Sequence, residues 1–361
     1  MNILGTESII ILFILTFVAT VITTYFMRNI LIDASISDSP IVSEHRHKIG
    51  TPTMGGISFL FVILFIISLY YKNTILLITI LIMITGGIMG LLDDLLGLKV
   101  KEHQQVVRNR TDSVITLGIL NLGPGEEARV TTDKAKQDVK PLLETGKLEE
   151  LAVIPIKYEP SESVKIVAQI LPGLFLSLMG VILTLGGFNI GYYLAFPIVI
   201  VAILGCINTI NLIDGMDGLA AGIVAIASFS CMIFCYINGN VENMAPFALI
   251  LALCLGFLVF NKYPAKIFMG DTGSFLLGTG FAVAVLITNI PYFGLLSLAV
   301  PIGSTIISLL HRAHVITLPV EPLHHTLNYH GISEVKIVLS YWLVTAIICI
   351  FGLLIDYFFF I

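Results

Sequence analysis

The sequence predicts an all-α polytopic membrane protein with about ten transmembrane helices and a small cytoplasmic α/β insertion. Hydrophobic residues make up 57% of the 361 residues, charged residues make up only 12%, and the mean hydropathy is +0.97. A water-soluble protein of this composition would lack the polar residues that cover a surface in water. Apolar runs long enough to cross a ~30 Å hydrocarbon core occur at ten places: 8–27, 55–71, 74–92, 167–186, 190–207, 218–237, 244–260, 275–290, 292–310 and 337–358.

The distribution of basic residues between the loops predicts the orientation. If the amino terminus is outside, every one of the 19 Lys and Arg residues except Lys72 falls in an odd-numbered loop. Cytoplasmic loops of membrane proteins carry an excess of Lys and Arg. We therefore expect a multi-pass protein of the cell membrane with both termini outside and the odd-numbered loops in the cytoplasm.

Residues 101–165 break the membrane pattern and are predicted to form a soluble cytoplasmic insertion. The segment is rich in both acidic and basic side chains, with strand-like residues at 114–122 and 151–160 and a helix-like stretch at 141–151. A flexible charged linker is the alternative, because few aromatic residues are available for a core. The insertion would separate spans 1–3 in residues 1–100 from spans 4–10 and their candidate catalytic loops in residues 166–361.

Every predicted cytoplasmic loop carries a polar or glycine-rich cluster, whereas the external loops carry almost none. The first loop contains HRHKIGTPTMGG, in which Lys48 supplies a cation and Thr53 stands near glycines that allow close backbone approach. Taken alone, this motif is explained more simply as an interfacial basic turn before a helix.

The third predicted span ends in a pair of carboxylates, Asp93 and Asp94. An ionised Asp near hydrocarbon costs about 2.5–3.5 kcal/mol on insertion scales. This cost favours a metal-binding or proton-transfer role over the alternative, in which the two side chains merely reach into the headgroup region.

The sequence NTINLIDGMDGLAAG follows the fifth predicted span. It places Asn211, Asp214 and Asp217 in one short loop, where Gly215 and Gly218 break the helix. Free backbone N–H groups at a helix start bind phosphate oxygens, and carboxylates bind Mg²⁺. The loop therefore predicts a site for a nucleotide and its cation, with an ordinary capped turn as the alternative.

The sequence FNKYPAKIFMGDTGS precedes the eighth predicted span and offers Asn261, Phe268 and Asp271. A carboxylate between glycines can approach a metal held against backbone, and an aromatic ring can cover a base or a ribose. A β-turn aspartate is the alternative for Asp271.

The sequence PLHHTLNYHG brings His324, His325 and His330 into the last long cytoplasmic loop. Zinc is one interpretation, but no Cys accompanies the histidines, and the carboxylates of the other loops point to Mg²⁺. Contact with a phosphate or diphosphate is the more economical role for these imidazoles. Together the clusters predict phosphoryl transfer, which depends on charge neutralisation and positioning.

A transporter or lipid flippase is the competing class, because ten spans and acidic residues at the membrane edge also suit ion-coupled transport. That class predicts ionisable groups at mid-membrane, where the apolar runs have almost none. A scaffold protein would account for the insertion but not for the clusters in the other loops.

The chain resembles the polyprenyl-phosphate N-acetylhexosamine-1-phosphate transferases in five motifs, which occur in the same order: GTPTMGG, the Asp pair that ends a span, NLIDGMDGLA, GFLVFNKYPAKIFMGDTGS and PLHHTLNYHGISEVKIVLSYW. Within that superfamily it is most similar to the phospho-N-acetylmuramoyl-pentapeptide transferase type. The resemblance covers nearly the whole chain except residues 101–165, and the topology of that family agrees with the one predicted above.

The resemblance implies transfer of a phospho-sugar from a UDP-activated amino-sugar donor to polyprenyl phosphate, with Mg²⁺ as cofactor and UMP and a polyprenyl-diphospho-sugar as products. It implies that Asp93 accepts the proton of the lipid phosphate and that Asp271 and Asp94 are catalytic and hold the metal. His324 and His325 match the first two of the family's three consecutive histidines, which implies a catalytic role for both. The implied substrate-binding residues are Lys48, Thr53, Asn211, Asp214, Gly215, Met216, Asp217, Asn261 and Phe268. The implied partners are the donor, the lipid and the membrane, with a homodimer left open and no nucleic acid expected.

Three features depart from the family pattern. Thr326 stands where a third histidine is usual, His330 precedes the last glycine of the loop, and the insertion is not typical of the bacterial enzyme. An archaeal relative would fit these departures, with either a peptide-bearing donor of the murein or pseudomurein type or UDP-N-acetylglucosamine. The PLHH…YHG…SYW arrangement favours the peptide-bearing donor.

Overall fold

The computed structural model describes residues 5–37, 50–117, 120–130, 133–157, 161–181, 183–185 and 188–359. The predicted substrate-binding residue Lys48 lies outside these ranges. The chain divides into two compact units, Met1–Asp94 together with Glu162–Ile361, and Leu95–Ser161.

Apolar helices build almost all of the first unit, as the composition predicts. Numbered along the chain, the helices are α1 (Thr6–Asp33), α2 (Ile57–Tyr70), α3 (Thr74–Gly97), α4 (Asp133–Glu144), α5 (Glu162–Leu178), α6 (Gly191–Ile213), α7 (Leu219–Ile237), α8 (Met244–Asn261), α9 (Gly270–Ile287), α10 (Pro291–Ser297), α11 (Ala299–Arg312), α12 (Leu323–Tyr329) and α13 (Glu334–Phe359). The strands are β1 (Val100–Asn109), β2 (Ile115–Leu117), β3 (Leu120–Leu122), β4 (Glu127–Arg129), β5 (Leu148–Lys157), β6 (Thr184–Leu185) and β7 (Phe188–Asn189). Helix α4 and strands β1 to β5 belong to the second unit.

Among the described residues, seven helices are long and apolar enough to cross a membrane, and the number is eight if the bent pair α10 and α11 forms one span. A helix accompanies each of the ten predicted apolar runs, but α2 has only 14 residues and α5 only 17. A span of the hydrocarbon core takes about 20 residues. The prediction of an all-α polytopic membrane protein is confirmed, while the count of ten spans and the external termini stay predictions.

Two of the predicted continuous spans are interrupted in the structure. The run 167–186 stops being helical at Leu178, because Gly180 takes the left-handed conformation (φ +76°) that ends helices, and the β6–β7 hairpin follows. The run 292–310 bends by 71° between α10 and α11. Pro301, near the start of α11, has no N–H to donate to the Ser297 carbonyl, so a straight helix is not maintained there.

Helix α9 lies inside the first unit and is buried along nearly all of its length. Glycines on α3 let the two helices approach closely. A Cβ atom at Gly86 would lie 2.0 Å from the Thr279 Oγ1, and one at Gly90 would lie 2.0 Å from the Asp271 carbonyl oxygen. Residues four apart lie on the same face of a helix, so α3 presents a flat strip to α9. This approach brings the acidic end of α3 to the start of α9.

The second unit is a small α/β domain with its own apolar core, which favours a folded domain over a flexible linker. Its antiparallel sheet has the order β4–β1–β5, and the β2–β3 hairpin and α4 complete it. The predicted helix at 141–151 is wrong in position, because α4 ends at Glu144 and β5 begins at Leu148. Gly146 takes the left-handed conformation (φ +69°), and its N–H donates to the Leu143 carbonyl, which closes the turn.

The Gly90→Ala substitution tests the close approach of α3 to α9. Overpacking a tight contact costs about 1–3 kcal/mol, so we expect a lower midpoint of thermal unfolding in detergent. The matched control is Gly97→Ala on the same helix, where an added Cβ meets nothing within 4 Å. Equal midpoints for the two variants would contradict this packing.

Candidate active site

The side chain of Asp94, at the end of α3, caps the first turn of α9. Its Oδ1 accepts the Asp271 backbone N–H (3.0 Å), and its Oδ2 accepts the Thr272 N–H (2.9 Å) and the Thr272 hydroxyl (2.6 Å). The first N–H groups of a helix have no partner within the helix, and a carboxylate is a strong acceptor for them. Both oxygens of Asp94 are therefore engaged in holding the start of α9.

The side chain of Asp93, the neighbouring residue, lies beside charged side chains instead of backbone N–H groups. Its Oδ2 lies 2.6 Å from the Nζ of Lys165 on α5, and the two side chains are 7% and 30% exposed, respectively. The carboxyl group of Asp93 is also close enough to that of Asp271 for the two to interact electrostatically. Neighbouring carboxylates repel each other unless a proton or a cation offsets their charge, so this pair is suited to bind either.

Asn211, near the end of α6, orients Asp271. Its Nδ2 donates to the Asp271 Oδ1 (2.7 Å) and to the Ser274 Oγ (3.0 Å). The predicted residues Asp93, Asp94, Asn211 and Asp271 thus come together around the start of α9, although they belong to three different helices.

Lys165 is the residue of this cluster that the sequence analysis did not single out, because it was assigned to the insertion. The structure places it in α5, in the membrane unit. Gln169 lies four residues further along, and its Oε1 accepts a hydrogen bond from the Asn208 Nδ2 (2.7 Å). The role could have been indicated by the spacing of Lys165 and Gln169, which places a lysine and an amide on one face at the start of an apolar helix.

The two histidines of α12 pack against the loop between α6 and α7. A Cβ atom at Gly215 would lie 2.7 Å from the His324 Nε2 and 2.8 Å from the His325 Nε2, so only glycine fits there. The two imidazole rings lie 4.5 Å apart between centroids. His324 is fully buried, whereas His325, Asp214 and Gly215 are half-buried. A ligand at this place would therefore meet His325 before His324.

Three predicted substrate-binding side chains are enclosed by protein. Met216 belongs to the hydrophobic core of the membrane unit. The buried Asp217 accepts the Ala265 N–H at its Oδ2 (2.8 Å). The buried Asn261 donates from its Nδ2 to the Ile267 carbonyl (2.9 Å). These contacts support the loops, so any effect of Asp217 or Asn261 on a ligand would act through the loop they hold.

The glycine-rich first loop docks on the loop between α8 and α9. The Phe268 N–H donates to the Pro52 carbonyl (2.8 Å). A Cβ atom at Gly56 would lie 2.1 Å from the Gly273 nitrogen, so the two backbones touch. Thr53 and Phe268, both half-buried, are thus brought to the same region.

The two departures from the family pattern in the last loop have different surroundings. Thr326 is buried, and its hydroxyl donates to the Val320 carbonyl. His330 is exposed and caps the end of α12. Neither residue joins His324 and His325 at Gly215.

The chemistry of the cluster fits Mg²⁺. Asp93 and Asp271 face each other, and Mg²⁺ is usually held by one or two carboxylates plus substrate phosphates. Within the described ranges, no three His, Cys, Asp or Glu side chains are grouped so that they could hold a metal ion. Asp94 was also predicted as a ligand, but its oxygens are taken by the start of α9.

Comparison with known proteins identifies the family. Residues 157–289 match the model of glycosyl transferase family 4. A relative from Methanothermobacter thermautotrophicus, named a putative phospho-N-acetylmuramoyl-pentapeptide-transferase, is 55% identical over 341 residues, covering 94% of this chain and 96% of its own. The chain belongs to the phospho-N-acetylmuramoyl-pentapeptide transferase family. A family member from Shouchella clausii is 30% identical over 364 residues, with 97% and 98% of the two chains covered. Another, from Halalkalibacterium halodurans, is 28% identical over 357 residues, with 93% of each covered.

Membership of the transferase family confirms the resemblance found in the sequence. The segment matched by the glycosyl transferase family 4 model, residues 157–289, contains Lys165, Asn211 and Asp271. Asp93, from α3, and the histidine pair, from α12, lie outside that segment. The roles of the individual residues stay predictions.

Identical substitutions of the two neighbouring aspartates separate their roles. We expect Asp94→Asn to lower the midpoint of thermal unfolding, because the amide group keeps only one acceptor oxygen for the start of α9, and loss of a cap costs about 0.5–2 kcal/mol. Asp93→Asn, the matched control, weakens the ion pair with Lys165 but also removes the repulsion between the Asp93 and Asp271 carboxylates, and it leaves the start of α9 capped, so we expect it to lower the midpoint less. The opposite order of stabilities, measured in the same detergent, would refute the capping role.

Proposed function

We propose that this chain transfers a phospho-N-acetyl-sugar from a UDP-linked donor to polyprenyl phosphate at the cytoplasmic face of the cell membrane, in cell-wall precursor synthesis. The observation that carries the proposal is the grouping of Asp93, Lys165, Asn211 and Asp271 around the start of α9 in a member of this transferase family. Phosphoryl transfer relies on charge neutralisation and positioning more than on covalent chemistry with the protein. This grouping offers both.

In the proposed reaction, Asp93 accepts the proton of the lipid phosphate. An oxygen of that phosphate bonds to the sugar-bearing phosphorus of the donor, the bond from that phosphorus to the bridging oxygen breaks, and UMP leaves. Lys165 lies beside Asp93, where its ammonium group can attract the acceptor phosphate. Asp271, oriented by Asn211, would hold Mg²⁺. When bound there, Mg²⁺ supplies neutralisation of the diphosphate charge.

An apolar cavity of about 400 Å³ supports a lipid acceptor. It lies between α6, α9, α10 and α11, and its lining includes Val201, Phe281, Leu295 and Ile302. Thr209 also lines the cavity and precedes Asn211 by two residues on α6. Apolar cavities of this size hold apolar ligands, with few polar groups to fix their orientation. The cavity thus extends along α6 to within one turn of Asn211, and we propose that it holds part of the polyprenyl chain.

For the donor, we propose a peptide-bearing sugar nucleotide of the murein or pseudomurein type. The relatives from Methanothermobacter, Halalkalibacterium and Shouchella are all named phospho-N-acetylmuramoyl-pentapeptide-transferases, the first with the word putative. The half-buried His325 beside Gly215 is suited to contact the diphosphate. The buried His324 then supports His325 from behind.

A radiolabel transfer assay in detergent tests the function. The purified chain is incubated with undecaprenyl phosphate, Mg²⁺ and one of three donors: UDP-N-acetylglucosamine, UDP-muramoyl-pentapeptide or a peptide-bearing pseudomurein precursor. We expect a lipid product and UMP from a peptide-bearing donor, and loss of both with EDTA or with Asp271→Asn. A product from UDP-N-acetylglucosamine alone would overturn the donor assignment. No transfer and no UMP release from any donor would overturn the transferase function.

The Lys165→Ala substitution tests the pair with Asp93 in the same assay. We expect the rate at saturating donor to fall about tenfold or more, equivalent to ~1.4 kcal/mol, because an ammonium group no longer offsets the carboxylates. Lys165→Arg should retain part of the rate, since it keeps the charge. The control is Lys72→Ala, an exposed lysine at the junction of α2 and α3. Full activity of Lys165→Ala would refute this role.

A further inference from the structure

Glu334, the first residue of α13, binds the backbone of the loop between α6 and α7. Its Oε1 accepts the Asp217 N–H at 2.7 Å, although the two residues are 117 positions apart in the sequence. Glu334 is only 7% exposed. A carboxylate in the first turn of a helix is favoured by the helix dipole, so the start of α13 is a favourable place for this side chain.

Asp217 extends the connection to a third segment. Its own side chain is 3% exposed, and its Oδ2 accepts the Ala265 N–H from the loop between α8 and α9 (2.8 Å). Two buried carboxylates in series therefore tie together the start of α13, the loop between α6 and α7, and the loop between α8 and α9. Burying carboxylates is unfavourable unless their hydrogen bonds are made, so this arrangement favours a defined loop geometry.

The segment 324–342, which includes most of α12 and the start of α13, contacts residues 215–222 at two further places. Gly215 touches the two histidines of α12. An added Cβ at Gly222 would lie 2.0 Å from the Trp342 ring, and the Trp342 Nε1 donates to the Leu219 carbonyl at 3.4 Å. The hydrogen bond from the Asp217 N–H to Glu334 lies between these contacts in the sequence order. Contacts with α12 and α13 thus hold the chain from Gly215, beside the two histidines, to the first turn of α7.

We propose that Glu334 is a positioning residue for donor binding. Its carboxylate fixes the backbone of residues 214–218 against His324 and His325, and so shapes the place where the donor diphosphate binds. The proposal rests on the proposed function for its link to the donor, but not for the effect of Glu334 on the loop. Glu334 touches no reacting atom in this scheme and acts through the loop.

Three substitutions of Glu334 separate geometry from charge. Glu334→Gln keeps the length of the side chain and an acceptor oxygen, Glu334→Asp keeps the charge but is one methylene too short, and Glu334→Ala removes both. Lys336→Ala is the matched control, because Lys336 is exposed on the same turn of α13. Hydrogen–deuterium exchange of the amides in residues 214–219 is measured without substrate, and the KM values for the UDP-linked donor and for undecaprenyl phosphate are measured in the transfer assay.

We expect the Ala and Asp variants to exchange these amides faster and to raise the donor KM about tenfold, with the KM for the lipid unchanged. The Gln variant should regain most of the wild-type behaviour, because its amide oxygen accepts the same hydrogen bond. If the amides of Glu334→Ala exchange at wild-type rates, Glu334 does not hold the loop, whatever the activity of the variant. Faster exchange with an unchanged donor KM would overturn the link to the donor. An Asp variant that matches the wild type while the Gln variant fails would show that charge matters and would overturn the positioning role.

A failure of the proposed function gives a different result. In that case the wild-type chain makes no lipid product from any donor, and the exchange measurement still decides whether Glu334 holds the loop. If all Glu334 variants fail to fold, the comparison passes to Asp217→Ala, which removes the acceptor for the Ala265 N–H but keeps the backbone N–H that donates to Glu334. Slow exchange at residues 214–219 in that folded variant would support Glu334 as the holder of the loop, and fast exchange would overturn it.

Discussion

The buried start of helix α9 is the constraint on which the candidate site depends. A helix begins with N–H groups that have no partner within the helix, and at α9 this beginning lies against α3 and the first loop. Asp94 satisfies two of these groups, and the absence of side chains at Gly56 and Gly90 makes room for the α9 backbone. Asp271 lies in the first turn of α9, so the same contacts that satisfy the backbone also place its carboxyl group beside Asp93.

The acidic residues near the ends of the spans divide into two groups by what they bind. Asp94, Asp217 and Glu334 accept backbone N–H groups and hold loops or helix starts together. Asp93 and Asp271 face each other, and Asp93 also pairs with Lys165. The first group uses charge to fix the backbone, and the second leaves charge to be balanced by a proton, a cation or a substrate. This division assigns separate tasks to neighbouring residues of the same type.

Much of the architecture could be predicted because helices that cross a bilayer need long runs of apolar residues, and such runs are visible in the sequence. A helix accompanies each predicted apolar run, and the polar insertion forms a compact domain. The errors are local. The end of α5 at Gly180 and the displaced α4 depend on single glycines in the left-handed conformation, and the bend before α11 depends on a proline in an otherwise apolar run. The mean hydropathy of a run is hardly changed by one glycine or proline. The same residue can end or bend a helix, because it alters the local backbone conformation or removes an N–H donor.

The sequence by itself determined the membrane class, the family and the polar residues of the loops that carry the candidate site, because hydropathy and motif order are properties of the chain alone. Only the tertiary structure decided which residues meet. It joined Lys165 to Asp93 across the insertion, turned Asp94 into the cap of a distant helix, placed His324 behind His325, and connected Glu334 to a loop 117 residues away. The physical reason is that a hydrogen bond or an ion pair depends on distance in space, and helix packing sets that distance through contacts far apart in sequence.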